Sequence, residues 1–234
     1  IPDATFHFMH PVKSRHAIRR AFGMGCRSFS LDTEDELKKI MEETNNARDL
    51  VLWVRITVPA KNSRIPLERK FGIAGAGASR LLVKTRQAAK ELGITFHVGS
   101  QCRNPQNWQE GITRAKNVFA DMRHAGLNPR LLNIGGGYPV RHVKPIPSIE
   151  VIGEVVNAAI ADLPADIHVM AEPGRYLVSD AAYFVCRVVG TATRNGKRWM
   201  YWDAGMFGGV IEVTEGLRYE IITDRKGQDI SWCV

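Results

Sequence analysis

The residues best suited to chemistry lie in three short motifs: "HVGS" with His97 and Ser100, a glycine triplet at 135–137, and "EPGR" with Glu172 and Arg175. Successive glycines expose backbone N–H groups that can cradle an anion, and arginine suits bidentate contact with phosphate. The His97 imidazole can stack on an aromatic ligand, while the Glu172 carboxylate can pair with a protonated ring nitrogen. Together the motifs predict a site for a phosphorylated heteroaromatic cofactor.

Each motif also has a plain structural explanation. A histidine at a strand end is usually only hydrogen-bonded, and a glycine triplet or an "EPG" segment can simply form a tight turn. The presence of all three motifs at successive predicted strand ends favours the functional interpretation over three independent structural ones. Their spacing, roughly 35 to 40 residues, suits the repeating units of a βα barrel.

The segments that must position these motifs repeat one pattern, an apolar strand followed by an amphipathic helix. "TFHFMH" is typical of a strand, "SRHAIRRAFGMG" of a helix, and "TEDELKKIMEE" of a helix with a capping box from Thr33 to Glu36. Further strands are predicted at "CRSFSL", "LVLWVRITV", "ITFHVGS", "RLLNI" and "IHVMAE", with helices at 79–92, 105–125 and 148–162. This alternation predicts an α/β fold with a parallel sheet, open or closed into a barrel.

The predicted strands also indicate where the motifs meet. In a βα barrel the reactive groups lie at the C-terminal ends of the strands, where the βα loops form one rim. His97 and Ser100 end one predicted strand, the glycine triplet ends the next, and Glu172, Gly174 and Arg175 end the one after that. We therefore expect three consecutive βα junctions to converge on one site.

The sequence pattern changes after about residue 178. Two β-rich runs are separated by "RNGK", whose Asn-Gly pair is typical of a tight hairpin turn, and the final "ISWCV" has the composition of a strand. We therefore predict a partial (β/α) barrel in residues 1–178 and an incomplete β-rich domain in residues 179–234.

Composition narrows the class of protein. Of 234 residues 44% are hydrophobic, as in an ordinary globular chain, and the net charge of +8 is spread over short, scattered clusters rather than a nucleic-acid-binding patch. The four cysteines lie far apart without metal-ligand spacing. No apolar run approaches the roughly 20 residues that a membrane span needs, and no leader pattern opens the chain. We expect a cytoplasmic protein without a metal site, a nucleic-acid partner or a membrane segment.

Three strings carry a resemblance to a known family: "FHVGSQC", "LNIGGGYP" and "AEPGRYLV", in this order and at this spacing. They closely resemble the ornithine/lysine/diaminopimelate/arginine decarboxylases, and the chain is most similar to the ornithine decarboxylase branch. The resemblance extends from "FHFMHPVKSR" through "KFGI" to "YWDAGMFGGVIE". It implies an alanine-racemase-like, TIM-type (β/α)8 barrel followed by a β domain, with pyridoxal 5'-phosphate (PLP) as cofactor.

The resemblance also implies roles for individual residues. His97 stacks on the PLP ring and Glu172 pairs with the pyridine nitrogen, and both are therefore catalytic. A protonated nitrogen beside Glu172 makes the ring an electron sink for decarboxylation, whereas an arginine there is expected to favour racemisation. The other cofactor-binding residues that the resemblance implies are Arg55, Ser100, Gly135, Gly136, Gly137, Gly174 and Arg175.

The chain departs from the family pattern at several positions. The family's Schiff-base lysine lies on the first barrel strand and its catalytic cysteine in a "CDS"-like motif; Lys13 belongs to a later unit, and Cys233 precedes the expected place. We therefore expect the chain to be an internal segment of a longer enzyme that lacks the first strands and is inactive by itself. Asn133 replaces the aspartate common before the triplet. Glu212 or Glu215 are candidates for binding the distal ammonium of a substrate, although both also suit solvated strand ends.

The resemblance implies decarboxylation of a basic L-amino acid, with ornithine converted to putrescine in polyamine biosynthesis, by a homodimer with shared active sites. Two alternatives stay open. One is a non-catalytic binding or regulatory homologue, and the other is an amino-acid racemase, which Glu172 disfavours. The sequence does not decide among ornithine, lysine, arginine and diaminopimelate as substrates.

Overall fold

The computed structural model describes residues 4–227 and 230–233. The chain divides into two compact units, one comprising Ile1–Pro139 and Pro147–Tyr176, the other Val140–Ile146 and Leu177–Val234. The division into domains at residue 178 stays a prediction. No helix in the described residues is long and apolar enough to cross a lipid bilayer, and no group of three or more His, Cys, Asp and Glu side chains there is placed to hold a metal ion.

In the described part of the first unit, a parallel sheet alternates with helices. Each strand pairs with the next one in the chain, without any reversal of order. Such an order winds the chain in one direction, as in a barrel, whereas a doubly wound sheet reverses at a switch point. The predicted parallel sheet is therefore confirmed. The strands are β1 (His7–Phe8), β2 (Ser28–Leu31), β3 (Val51–Arg55), β4 (Glu91–Thr95), β5 (Leu131–Asn133) and β6 (His168–Met170); the helices are α1 (Arg15–Gly23), α2 (Glu34–Glu43), α3 (Ala76–Arg86), α4 (Gln106–His124), α5 (Ile149–Ile160) and α6 (Gly174–Val178).

The start of α2 shows how local sequence and buried charge combine. The Thr33 hydroxyl accepts a hydrogen bond from the Glu36 N–H at 3.2 Å, which is one half of the predicted capping box. The Glu36 carboxylate, however, is buried against the Lys13 ammonium at 2.8 Å and also pairs with Lys39. Lys13 donates further to the Ser30 carbonyl oxygen at 2.6 Å. Lys13 therefore anchors the β1–α1 connection to β2 and α2.

The two faces of the sheet differ in polarity because successive strand side chains point to opposite sides. One face is apolar and packs in the hydrophobic core with residues of α1 to α5, such as Ile18, Ile40 and Ile112. The opposite face carries buried polar residues, which need partners inside the protein. Its polar members on β2 to β5 are Ser28, Ser30, Arg55, Thr95 and Asn133.

The sequence prediction was wrong at the junction of α3 and β4. The predicted helix 79–92 ends at Arg86, and Gly93 lies inside β4 instead of closing a helix. Two features explain the difference. The N–H groups of Lys90 and Glu91 donate to the Leu50 carbonyl oxygen, which starts the pairing with β3, and a Cβ on Gly93 would lie 2.3 Å from the Trp53 ring. Pairing between strands therefore overrides the helical periodicity of this segment.

The second unit contains the predicted hairpin. Strand β7 (Val188–Arg194) pairs antiparallel with β8 (Lys197–Trp202) across Asn195 and Gly196, which have φ angles of 50° and 73° as a tight turn with two left-handed residues requires. Two 3-10 helices follow, at Met206–Gly208 and Ile211–Glu215.

The final predicted strand is reduced to one bridge. Cys233 pairs with Trp199 of β8 as an isolated parallel bridge, and residues 230–232 are not in a strand. Residue 234, which the same prediction included, lies outside the described residues.

Candidate active site

Polar residues mark the C-terminal ends of five neighbouring strands. Asp32 follows β2, Arg55 ends β3, His97 follows β4, Asn133 ends β5, and Glu172 follows β6. All five occupy the alternate positions that continue the polar face of the sheet. Because the C-terminal ends of neighbouring parallel strands lie at one edge, the fold brings these side chains together.

Glu172 is held by a neighbour on the adjacent strand. The side-chain amide N–H of Asn133 donates to Glu172 Oε1 at 2.7 Å, and Asn133 Oδ1 accepts a hydrogen bond from the Gly135 N–H at 2.9 Å. Burial raises the pKa of the Glu172 carboxyl, while the Asn133 hydrogen bond and the positive charge of Arg55 lower it. The carboxylate therefore has both an oriented donor and a nearby cation.

Arg55 is a buried cation, 9% exposed, at the end of β3. Burial lowers the pKa of its guanidinium, while the negative charges of Asp32 and Glu172 act in the opposite direction. The guanidinium lies over the Phe71 ring at 5.2 Å. Asp32 accepts a hydrogen bond from the Gly72 N–H at 2.8 Å, so the same carboxylate that stabilises Arg55 also holds the segment that carries Phe71.

His97 presents a neutral imidazole at this edge. Its Nδ1 accepts a hydrogen bond from the Gly99 N–H at 3.0 Å, which assigns the ring proton to Nε2. Burial and the positive charge of Arg55 lower the pKa of His97 to about 4. At neutral pH the ring is therefore uncharged. It can stack on an aromatic ligand without adding a positive charge to the site.

Acidification should destabilise the folded chain through His97. Its folded pKa of about 4 lies below the ordinary 6.5, so its contribution is complete above pH 6.5 and is lost as the pH falls towards 4. We expect the free energy of unfolding, measured by urea unfolding, to fall by about 3 kcal/mol over this range. His97→Gln should remove that part of the dependence, whereas His124→Gln, at an exposed position on α4, should leave it unchanged. If the free energy of unfolding depended on pH equally in the two variants, the lowered pKa of His97 would be contradicted.

The glycine triplet permits close packing of the protein's own backbone. Gly135 and Gly137 have φ angles of +69° and +98°, which favour glycine. A Cβ on Gly135 would lie 2.0 Å from the Phe96 carbonyl oxygen, and one on Gly136 would lie 2.6 Å from the Glu172 carbonyl oxygen. The triplet therefore lies tightly against the chain that follows β4 and β6.

The same loop also has unused hydrogen-bond donors. Within residues 4–227 and 230–233, the backbone N–H groups of Gly136 and Gly137 have no hydrogen-bond partner, and Gly136 is buried. Buried N–H groups without partners are rare, and neighbouring ones of this kind form anion-binding nests. The loop is therefore suited to hold a phosphate group.

The remaining predicted cofactor-binding residues lie near these strand ends in sequence. Ser100 is partly buried and exchanges backbone hydrogen bonds with the segment after β3, through its N–H to the Ile65 carbonyl oxygen at 3.0 Å. Gly174 donates its N–H to the Glu172 carbonyl oxygen at 2.9 Å and begins α6, where Arg175 follows. The cofactor-binding roles of Ser100, Gly174 and Arg175 stay predictions.

Glu212 and Glu215 belong to the second unit, on the 3-10 helix Ile211–Glu215. Glu212 Oε2 accepts a hydrogen bond from the Tyr219 hydroxyl at 2.9 Å. Glu215 is exposed. Their role in substrate binding stays a prediction.

Sequence analysis overlooked Asp32 and Phe71. A signal for Asp32 was present, because "SFSLD" places a carboxylate directly after an apolar strand, in the same pattern as Glu172. Phe71 lies in the long β3–α3 connection, where neither periodicity nor a motif indicates contact with Arg55.

Comparison with known proteins settles the family. The family model described as pyridoxal-dependent decarboxylase, pyridoxal binding domain, matches residues 1–179. This chain belongs to the pyridoxal-dependent decarboxylase family. The predicted cofactor class is thereby confirmed at the level of the family, whose matched domain binds pyridoxal.

Relatives of this pyridoxal-dependent decarboxylase chain include enzymes and a protein named as an inhibitor. The lysine/ornithine decarboxylase of Selenomonas ruminantium is 32% identical over 203 residues, which cover 86% of this chain and 51% of the relative. Antizyme inhibitor 2 of Xenopus laevis is 31% identical over 185 residues, covering 78% of this chain and 40% of the relative. The chain therefore spans about half the length of the curated relatives it matches.

A solved structure confirms the fold class. The crystal structure of lysine/ornithine decarboxylase from Vibrio vulnificus, complexed with cadaverine, has 31% sequence identity and a TM-score of 0.83. The similarity covers 95% of this chain and 58% of that one. The six-stranded sheet of this pyridoxal-dependent decarboxylase chain is therefore part of the TIM-type barrel of the family.

Proposed function

We propose that the protein containing this chain is a PLP-dependent decarboxylase that converts L-ornithine to putrescine. The observation that carries the proposal is the convergence of a hydrogen-bonded carboxylate, a neutral imidazole and two adjacent backbone N–H groups at one edge of the sheet. Those groups come from Glu172, His97 and the glycine loop of residues 135–137. Among basic amino acids we choose ornithine because of the similarity to relatives named ornithine decarboxylase.

The residues present fit PLP. The backbone N–H groups of Gly136 and Gly137, with Arg175, would hold the phosphate. His97 would stack on the ring, and Glu172 would meet the ring nitrogen. Bound PLP supplies an electron sink for the electron pair left on the substrate when its carboxylate departs as CO2.

The contribution of this chain is mainly electrostatic. Glu172, ionised, would hold a proton at the ring nitrogen, and that proton strengthens the electron sink. Arg55 and Asn133 favour the ionised form of Glu172 against the effect of burial. His97 is neutral at physiological pH and so adds no positive charge that would oppose protonation of the ring.

We further propose a cytoplasmic homodimer with shared active sites, acting in polyamine biosynthesis. Glu212 or Glu215 would bind the distal ammonium of ornithine, because a carboxylate pairs with that charge. These parts of the proposal are supported by the family resemblance alone.

The first experiment uses the full-length gene product with added PLP. We expect an absorbance band at about 420 nm that borohydride removes. Mass spectrometry should then show PLP covalently attached to the protein. Release of CO2 should be faster from ornithine than from lysine or arginine, by about tenfold or more in kcat/KM. A band with no CO2 release, and racemised ornithine recovered, would instead identify a racemase.

A second candidate function is that of a non-catalytic binding or regulatory homologue. The similarity to antizyme inhibitor 2 is the observation that favours it. On this alternative the full-length gene product would neither develop the reducible band nor release CO2 from any of the three amino acids. The same experiment therefore separates the two candidates.

A further inference from the structure

We propose that Asn133 is a positioning residue whose side-chain amide locks the Glu172 carboxylate to the glycine loop, so that the ring-nitrogen partner and the phosphate loop are held as one unit. The inference rests on the proposed function for the meaning of these two parts of the site. The lock itself is a property of the chain without cofactor, and it can be tested there.

The geometry of the lock involves both ends of one amide. Asn133 is 2% exposed, its Nδ2 donates to Glu172 Oε1 at 2.7 Å, and its Oδ1 accepts from the Gly135 N–H at 2.9 Å. Backbone bonds strengthen the same junction: the Glu172 N–H donates to the Gly135 carbonyl oxygen at 2.9 Å, and the Phe96 N–H donates to the Asn133 carbonyl oxygen at 3.1 Å. The ends of β4, β5 and β6 are thereby joined through one residue.

The Asn133 amide satisfies both partners at once. The carboxylate of Glu172 needs a donor, and the N–H of Gly135 needs an acceptor. An aspartate at position 133 would keep the acceptor but place a second carboxylate at hydrogen-bond distance from the first. A leucine would remove the hydrogen bond from the buried Gly135 N–H and from the partly buried Glu172 carboxylate, which is costly. The asparagine therefore supplies both the donor and the acceptor at this junction without adding a charge.

Two titratable groups from other strands lie near this junction as well. Arg55, from β3, attracts the carboxylate through its charge, and His97, after β4, lies against the loop: a Cβ on Gly136 would be 3.2 Å from His97 Nε2. Charge attraction alone does not fix the orientation of a carboxylate, whereas a hydrogen bond does. Asn133 is thus the group that sets where Glu172 lies relative to the loop.

The test is the pH dependence of stability in the full-length gene product without PLP. In Asn133→Asp, two carboxylates at this distance must share a proton in the folded state, so their pKa rises above the unfolded value of about 4. The stability contributed by the shared proton is complete below the unfolded pKa and is lost as the pH rises through the raised pKa of the folded state. Between about pH 4 and about pH 8 we expect the Tm of the variant to fall by about 5 °C relative to the parent chain.

A matched control separates this effect from the substitution itself. The side-chain amide of Asn128 donates to Asp166 Oδ2 at 3.4 Å at an exposed position. Asn128→Asp makes the same chemical change beside a carboxylate in solvent, so its Tm difference should vary by less than about 1 °C over the same range.

A reciprocal variant tests the pairing directly. In N133D/E172Q the donor moves to position 172 and the acceptor stays at 133, so the pH dependence should disappear and most of the lost Tm should return. The proposal is overturned if N133D behaves like N128D, if the double variant is no better than N133D, or if neither N133D nor the double variant folds. Since no step uses PLP or turnover, failure here is distinguishable from failure of the decarboxylase proposal.

Discussion

Glu172→Gln in the full-length gene product should lower kcat for ornithine decarboxylation by about 10²–10³-fold, with little change in PLP affinity. Glutamine keeps the shape of the side chain but removes the negative charge that would hold a proton at the ring nitrogen. The phosphate loop and His97 are unchanged, so the cofactor should still bind. Steady-state kinetics give kcat and KM, and a PLP titration gives the cofactor Kd.

The control for this variant is Glu154→Gln, an exposed glutamate on α5. It removes one carboxylate without touching the strand ends, and kcat should stay within about twofold of the parent value. If Glu172→Gln retains kcat to the same degree, Glu172 is not the partner of the ring nitrogen. A large loss of PLP affinity without loss of kcat would also contradict the proposed role.

Gly135→Ala should lower the free energy of unfolding by about 3 kcal/mol or more. The new Cβ would lie 2.0 Å from the Phe96 carbonyl oxygen, and the φ angle of +69° is itself unfavourable for alanine. The obstacle is backbone, and it cannot retreat easily because the Phe96 N–H is bonded to the Asn133 carbonyl oxygen. Urea unfolding of the chain without cofactor measures the loss.

Gly153→Ala provides the comparison for this loss. Gly153 lies inside α5, and a Cβ there would meet no atom within 4 Å. Alanine in a helix interior is favoured over glycine by about 0.5–1 kcal/mol, so this variant should be more stable than the parent chain. A similar loss at both positions would mean that the close approach at Gly135 does not decide stability.

Much of the barrel could be predicted because its signals are local. The alternation of apolar strands with amphipathic helices indicated the parallel sheet, and Asn195 with Gly196 indicated the hairpin. Each depends on residues a few positions apart along the chain. The α3–β4 junction failed for the converse reason: Gly93 resembles a helix end locally, but the Trp53 ring from β3 occupies the space beside it.

In the candidate site, too, some features could be predicted from local sequence and others could not. The positions of His97 and Glu172 at strand ends followed from sequence, because a buried strand has to end where polar residues begin. The neighbours of these residues did not follow, since hydrogen bonds between Asn133 and Glu172, or contact between Arg55 and Phe71, join residues far apart in the chain.

By itself, the sequence determined the class of fold and the residue types available for chemistry, because periodicity, turn residues and motifs are properties of short segments. Only the tertiary structure decided which of those residues form hydrogen bonds or interact through their charges. It also supplies the reason that three glycines follow one another. The triplet has to pass within van der Waals range of the backbone after β4 and β6 while two of its N–H groups have no partner among the described residues. Such close approach depends on strands placed side by side by the whole sheet, and no single segment encodes it.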